Sequence, residues 1–94
     1  MEFEWDENKN RQNQQKHGIS FEEAKEIFQG IYFTSIDDRS NYGEIREIII
    51  GTIRSTIVVT EVYTDRNGKI RLISARKATP KERKQYHDYL RRTT

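Results

Sequence analysis

Residues 44–77 read EIREIIIGTIRSTIVVTEVYTDRNGKIRLISARK, and this stretch decides the fold class. Val, Ile, Thr and Tyr, which suit a pleated and half-buried surface, recur throughout it. It divides into strands over about 44–51, 56–64 and 69–77. The first two are joined near Gly51 to Ser55. The last two are joined through Asp65-Arg66-Asn67-Gly68, where Asn-Gly is a strong hairpin signal. Alternation puts Arg46 on the face of Ile48 and Ile50, so its guanidinium is expected at the rim of the core. The same rule puts Ser74 and Arg76 with Ile70 and Leu72, and Arg71, Ile73 and Ala75 opposite. Glu61 is expected to pair with a basic neighbour across the strands; the alternative is a buried base.

Outward from this meander, Phe3-Glu4-Trp5 alternates as a short strand. Asp6 then caps a helix over Glu7 to His17, and Gly18 stops it. That segment holds no apolar residue, so its caps and its Asn, Gln and Lys content are the signal. Ser20-Phe21-Glu22-Glu23 is a capping box, in which the hydroxyl and Glu23 satisfy each other's free amides. Phe21, Ala24, Ile27 and Phe28 follow at helical spacing until Gly30. Tyr32 to Ile36 reads as a strand and Asp37-Asp38-Arg39-Ser40-Asn41 as a polar loop. A second capping box, Thr79-Pro80-Lys81-Glu82, starts a terminal helix whose sparse apolar face uses Tyr86, Tyr89 and Leu90. The expected fold is α+β: a small antiparallel meander with two N-terminal helices and one C-terminal helix. The helices are expected to cover one sheet face and leave the other available.

Composition fits one small domain over residues 1–94. The chain is 33% hydrophobic and 34% charged, so its core must be small. Without cysteine it has no disulfide, thiolate nucleophile or Cys-rich zinc site. No apolar run approaches a membrane span, and the acidic, aromatic N-terminus is unlike a secretory signal. These features point to a cytoplasmic protein. Net charge is only +2, but residues 66–92 carry Arg66, Lys69, Arg71, Arg76, Lys77, Lys81, Arg83, Lys84, Arg91 and Arg92 against Glu82 and Asp88. Such a basic half suits an anionic partner, nucleic acid first, or simply a soluble surface.

The chain has no HExxH, GxSxG or Walker loop and no Cys-His cluster. Abundant Arg and Lys, two His and a few carboxylates remain. That inventory suits cleavage of RNA by its own 2′-hydroxyl, where the substrate supplies the nucleophile and no cofactor or metal is needed. The protein then supplies a base, charge stabilisation and an acid. Lys16-His17-Gly18 offers a phosphate clamp and a group titrating near neutrality; two cations at a helix C-terminus are the structural alternative. Arg46 is either a strand-mounted phosphate fork or half of an ion pair. Arg76 stands beside small residues just before the terminal helix, with Arg71, Lys77 and Arg83 as neighbouring cations. Tyr86 and His87 suit helix packing or solvent, and Trp5 suits the core or a partner surface.

Taken in order, the motifs resemble the BrnT family of toxins. Those motifs are Phe3-Glu4-Trp5-Asp6-Glu7, Lys9, Asn13, and Lys16-His17-Gly18-Ile19-Ser20-Phe21-Glu22-Glu23-Ala24. Further on they are Tyr42-Gly43-Glu44, Arg46, Ile50-Gly51, Ile70-Arg71-Leu72-Ile73-Ser74-Ala75-Arg76, Ala78, Glu82 and Arg83. The resemblance implies a RelE-like fold and a metal-independent endoribonuclease that arrests translation. It also implies a BrnA-type antitoxin, DNA-binding and dimeric. That partner would form a hetero-oligomer with the toxin, and the complex would repress its own operon, touching DNA only through the antitoxin. The family's basic pattern maps onto Lys16, His17, Arg46 and Arg76 as catalytic residues. Lys16, Arg46 and Arg76 would stabilise phosphate charge and His17 would carry the proton, while Arg71, Arg83 and Lys77 bind RNA. The alternative is a non-catalytic RNA-binding or antitoxin-binding module.

Overall fold

In a computed structural model, which describes residues 1–39 and 41–93, five strands form one sheet flanked by three α-helices. Ser40, in the polar loop, and Thr94 lie outside the described residues. The strands are β1 (Glu2–Glu4), β2 (Phe33–Ile36), β3 (Glu47–Ile53), β4 (Ile57–Arg66) and β5 (Lys69–Lys77). The helices are α1 (Glu7–His17), α2 (Phe21–Ala24) and α3 (Pro80–Thr93), and a 3-10 turn (Lys25–Gln29) continues α2. Sheet order is β1-β5-β4-β3-β2. The meander is antiparallel as expected, whereas β1 joins β5 in parallel.

The chain begins β3 three residues later than the expected start and carries it through Gly51 to Ile53. The turn falls at Arg54 and Ser55, both left-handed (φ 52° and 67°). Gly51 is needed for closeness rather than for turning. A Cβ there would lie 2.7 Å from Ile27 Cγ1 and 3.1 Å from Tyr32 Cβ. At the other hairpin Asn67 and Gly68 do take the left-handed pair (φ 57° and 89°).

Helices lie on both faces, not one. On the first face Phe21, Ala24 and Ile27 pack with Ile49, Ile53, Val59, Leu72 and Ala75. On the second, Tyr86 and Leu90 of α3 pack with Ile50, Val58, Ile48 and Phe33. Tyr86 fixes α3 by donating its hydroxyl hydrogen to the Ile31 carbonyl (2.7 Å). Because α3 covers only part of this second face, the rest stays open.

α1 docks without apolar side chains, its buried residues being Asn10 and Asn13. Asn13 lies beside Ala75, past the end of the short β1. There Nδ2 donates to the Ala75 carbonyl (2.8 Å) and Oδ1 accepts from the Ala75 amide (3.1 Å). One carboxamide thus replaces a missing strand. Asn10 accepts from the Phe21 amide (2.8 Å), tying α1 to α2. Both N-terminal caps form, with Asp6 accepting from Asn8 and Lys9 and Ser20 exchanging bonds with Glu23.

Candidate nucleic-acid interface

The arginines owe their facing to a β-bulge. Val62 pairs with Ser74 and Tyr63 with Leu72, so Ile73 is left over. One extra residue reverses the phase of β5. Ala75 therefore shares the helix-packed face with Leu72 and Ile70, while Ser74 and Arg76 join Arg71 on the second face. Strict alternation had placed Arg71 opposite Arg76. Three rows result on that face: Arg46, Thr64 and Arg71; Ile48, Val62 and Ser74; Ile50, Thr60 and Arg76. Arg46 reaches its row by standing one residue before β3, where Thr64 Oγ1 donates to the Ile45 carbonyl (2.7 Å). The outer rows are four residues apart along β4, about 13 Å at strand rise.

A cavity of about 300 Å³ opens over the middle of this face, lined by Arg39, Ile48, Thr60, Val62, Ser74, Arg76 and Glu82. Arg76 forks onto Glu82, Nη1 to Oε1 at 2.8 Å and Nη2 to Oε2 at 3.0 Å. Glu82 also accepts from the Thr79 amide (2.8 Å) in the second capping box. The Arg76 hydrogen bonds hold the Glu82 carboxyl down to about 2 and raise Arg76 in turn. Arg39 forks onto Asp37, Nε to Oδ1 at 2.7 Å and Nη2 to Oδ2 at 2.8 Å. That arginine holds the Asp37 carboxyl down to about 2. Arg46 stacks on Tyr42, its guanidinium carbon 3.9 Å from the ring centre, with Glu44 also 3.9 Å away. Its buried Nε has no hydrogen-bond partner among the described residues.

Of the sequence-predicted residues, Arg46, Arg71 and Arg76 share this face, Arg71 paired with Glu4 at 2.6 Å. Arg83 lies in the first turn of α3 and donates to the Ala78 carbonyl (3.2 Å). Lys77 pairs with Val59 and so belongs to the opposite face. Lys16 and His17 end α1, one turn beyond Asn13, and neither side chain makes a hydrogen bond or ion pair among the described residues. Through Asn13 they sit near the Ala75 end of β5, but at the sheet edge, outside the cavity that Arg76 lines. Trp5, partly buried, packs against the core, edge-on to Phe21 at 6.0 Å. His87 lies exposed on α3 beside buried Tyr86.

Arg39 lies outside the expected site, and at Glu61 the expected cross-strand pair gives way to burial. Arg39 falls in the expected polar loop, where Asp37 two residues earlier signals a local fork. Glu61 finds no basic neighbour: its strand partners are Ile49 and Ala75, both its oxygens lack hydrogen bonds, and burial pushes its carboxyl up to about 9.

The structure is that of a small α+β domain with arginines gathered on a half-open sheet face, an arrangement suited to an anionic partner. The model of the ribonuclease toxin BrnT of type II toxin–antitoxin systems matches residues 5–82. The 1.1 Å crystal structure of the Brucella abortus ribonuclease toxin BrnT is similar at a TM-score of 0.65 and 25% identity, covering 84% of this chain and 97% of that one. Comparison with curated protein sequences finds no match. The chain belongs to the BrnT family of ribonuclease toxins. Membership implies an RNA target and an antitoxin partner. No helix among the described residues is long and apolar enough to cross a membrane.

Proposed function

We propose that this chain is a metal-independent endoribonuclease whose RNA lies across the open part of the arginine face. The substrate's 2′-hydroxyl gives up its proton and attacks the adjacent phosphorus; the bond to the 5′-oxygen breaks, leaving a 2′,3′-cyclic phosphate, and the departing 5′-oxygen takes up a proton, while the arginines neutralise the charge that builds on the phosphate oxygens. Arg76 and Arg46 supply that stabilisation, with Lys16 and His17 contributing from the end of α1 and His17 moving the proton. Arg71 and Arg83 hold flanking RNA, and Lys77, on the opposite face, is left out of that role. Cleavage arrests translation in the cytoplasm, and a dimeric DNA-binding antitoxin masks the toxin and represses the operon with it. The observation carrying this reading is the gathering of Arg76, Arg46 and Arg71 onto one face of a BrnT-family fold.

Purified protein is expected to cut naked RNA in the presence of EDTA. Arg76→Ala and Arg46→Ala are each expected to lower kcat/KM about 100-fold, the usual cost of one oxyanion donor. Intact RNA, or variants as fast as wild type, would sink the enzyme reading. The Arg76–Glu82 pair favours a second reading, a non-catalytic binding module, because the guanidinium is already occupied. That module would bind RNA in a salt-sensitive way without breaking it.

A further inference from the structure

The outer rows of the arginine face leave a gap. Arg46 and Arg76 arise about 13 Å apart along the strands and two strand spacings, about 9.5 Å, across them. Both can meet on one phosphate only with outstretched side chains, over the middle of the face. The middle row between them, Ile48, Val62 and Ser74, offers no charge. Into this gap projects Arg39, which lines the cavity with Ile48, Val62, Ser74 and Arg76.

Arg39 is mounted as a ligand-binding group would be. Its side chain is 66% exposed, whereas the carboxylate holding it is 0% exposed. Asp37 is itself fixed through its backbone amide, which donates to the Arg46 carbonyl (2.8 Å). The fork uses Nε and Nη2, with Tyr42 beside the same pair. Burying a carboxylate is costly, and a pair that only stabilised the fold would gain little from so exposed a partner. What the arrangement does achieve is a fixed cation beside Arg76, whose charge feels that of Arg39.

We infer that Arg39 is a further RNA-phosphate ligand, held by Asp37 as its positioning residue, and that it bridges the Arg46 and Arg76 rows. This rests on the RNA-cleaving reading above. The test is binding of a single-stranded 2′-O-methyl RNA, which lacks the nucleophile, measured across a salt series beside cleavage of ordinary RNA by wild type. Each phosphate contact on a single strand contributes about 0.7 to the slope of log affinity against log salt. Arg39→Ala is expected to reduce the slope by about 0.7 and weaken binding roughly tenfold at low salt. Arg39→Lys, which keeps the charge, is expected to retain the slope. Because Arg39→Ala strands the buried Asp37 charge, the double variant Asp37→Asn/Arg39→Ala is measured as well and is expected to show the same loss. Wild-type cleavage together with an unchanged slope in the double variant overturns the role of Arg39 alone. If wild type neither binds nor cuts RNA, the RNA-cleaving reading falls and takes this inference with it.

Discussion

The two faces of the sheet divide the labour of the molecule. The face under α1 and α2 is closed: Phe21, Ala24, Ile27, Ile49 and Val59 are each 0% exposed. The opposite face is only partly covered by α3, and beyond that cover it carries Arg39, Arg46, Arg71 and Arg76 with their acids. A chain with so little apolar material cannot seal both sides. It spends its hydrophobic residues on one face, which frees the other to hold charges that would be expensive in a closed core. The lesson is that fold and site are separated by the pleat, residue by residue.

Removing a large side chain from the closed face should therefore dominate every stability measurement. Phe21→Ala takes away a ring that touches Trp5 and fills the core, and should cost about 3–5 kcal/mol. Ser74→Ala, on the open face, should stay within about 0.5 kcal/mol. Denaturant unfolding of the two variants checks this. Similar losses would break the division between the faces.

The closed face hides one exception, Glu61, which is 0% exposed with both oxygens unpartnered. Burial raises its carboxyl from an ordinary 4.5 to about 9. An acid raised by folding is carried protonated, so its contribution is complete below about pH 4.5. That contribution is lost as pH climbs towards 9, at up to about 1.4 kcal/mol per pH unit. Glu61→Gln, neutral throughout, should flatten the decline. Unfolding midpoints at about pH 5, 7 and 9 read the slope directly. A wild type no more pH-sensitive than Glu61→Gln over that range would mean that Glu61 is paired or wet in solution.

Much of this was legible in the sequence because the signals were local. The Asn67-Gly68 turn, the Ser20 and Thr79 capping boxes and the meander strands each follow from a few adjacent residues. α1 could be read only from its caps, since its burial depends on Asn10 and Asn13 reaching partners elsewhere in the chain. The facing of Arg71 and Arg76 was misread because no residue type announces the bulge at Ile73. Gly51 looked like a turn residue, and only the approach of Ile27 reveals its purpose. Arg46 and Arg76 could be named from chemistry and family pattern, but Arg39 required the fold to bring its loop over the middle row.

The smallest effect sharpens the comparison most, because on the open face stability and binding should pull in opposite directions. Glu82 is lowered to about 2 chiefly by the Arg76 hydrogen bonds. Its contribution is present above its ordinary 4.5 and lost as pH falls towards 2, the opposite sense to Glu61. Glu82→Gln should then destabilise the protein by about 1 kcal/mol or less near neutrality, since the pair is partly exposed. The difference from wild type should shrink as pH falls from about 4.5 towards 2, the range in which the unfolded chain binds the proton and the folded pair does not. The same change removes the carboxylate with which an RNA phosphate must compete for Arg76, so RNA affinity should rise severalfold. Titration of both proteins with 2′-O-methyl RNA decides it. Weaker binding by Glu82→Gln would show that the carboxylate aims Arg76 at the phosphate rather than occupying it, and the open face would then be preorganised in the same sense as the closed one.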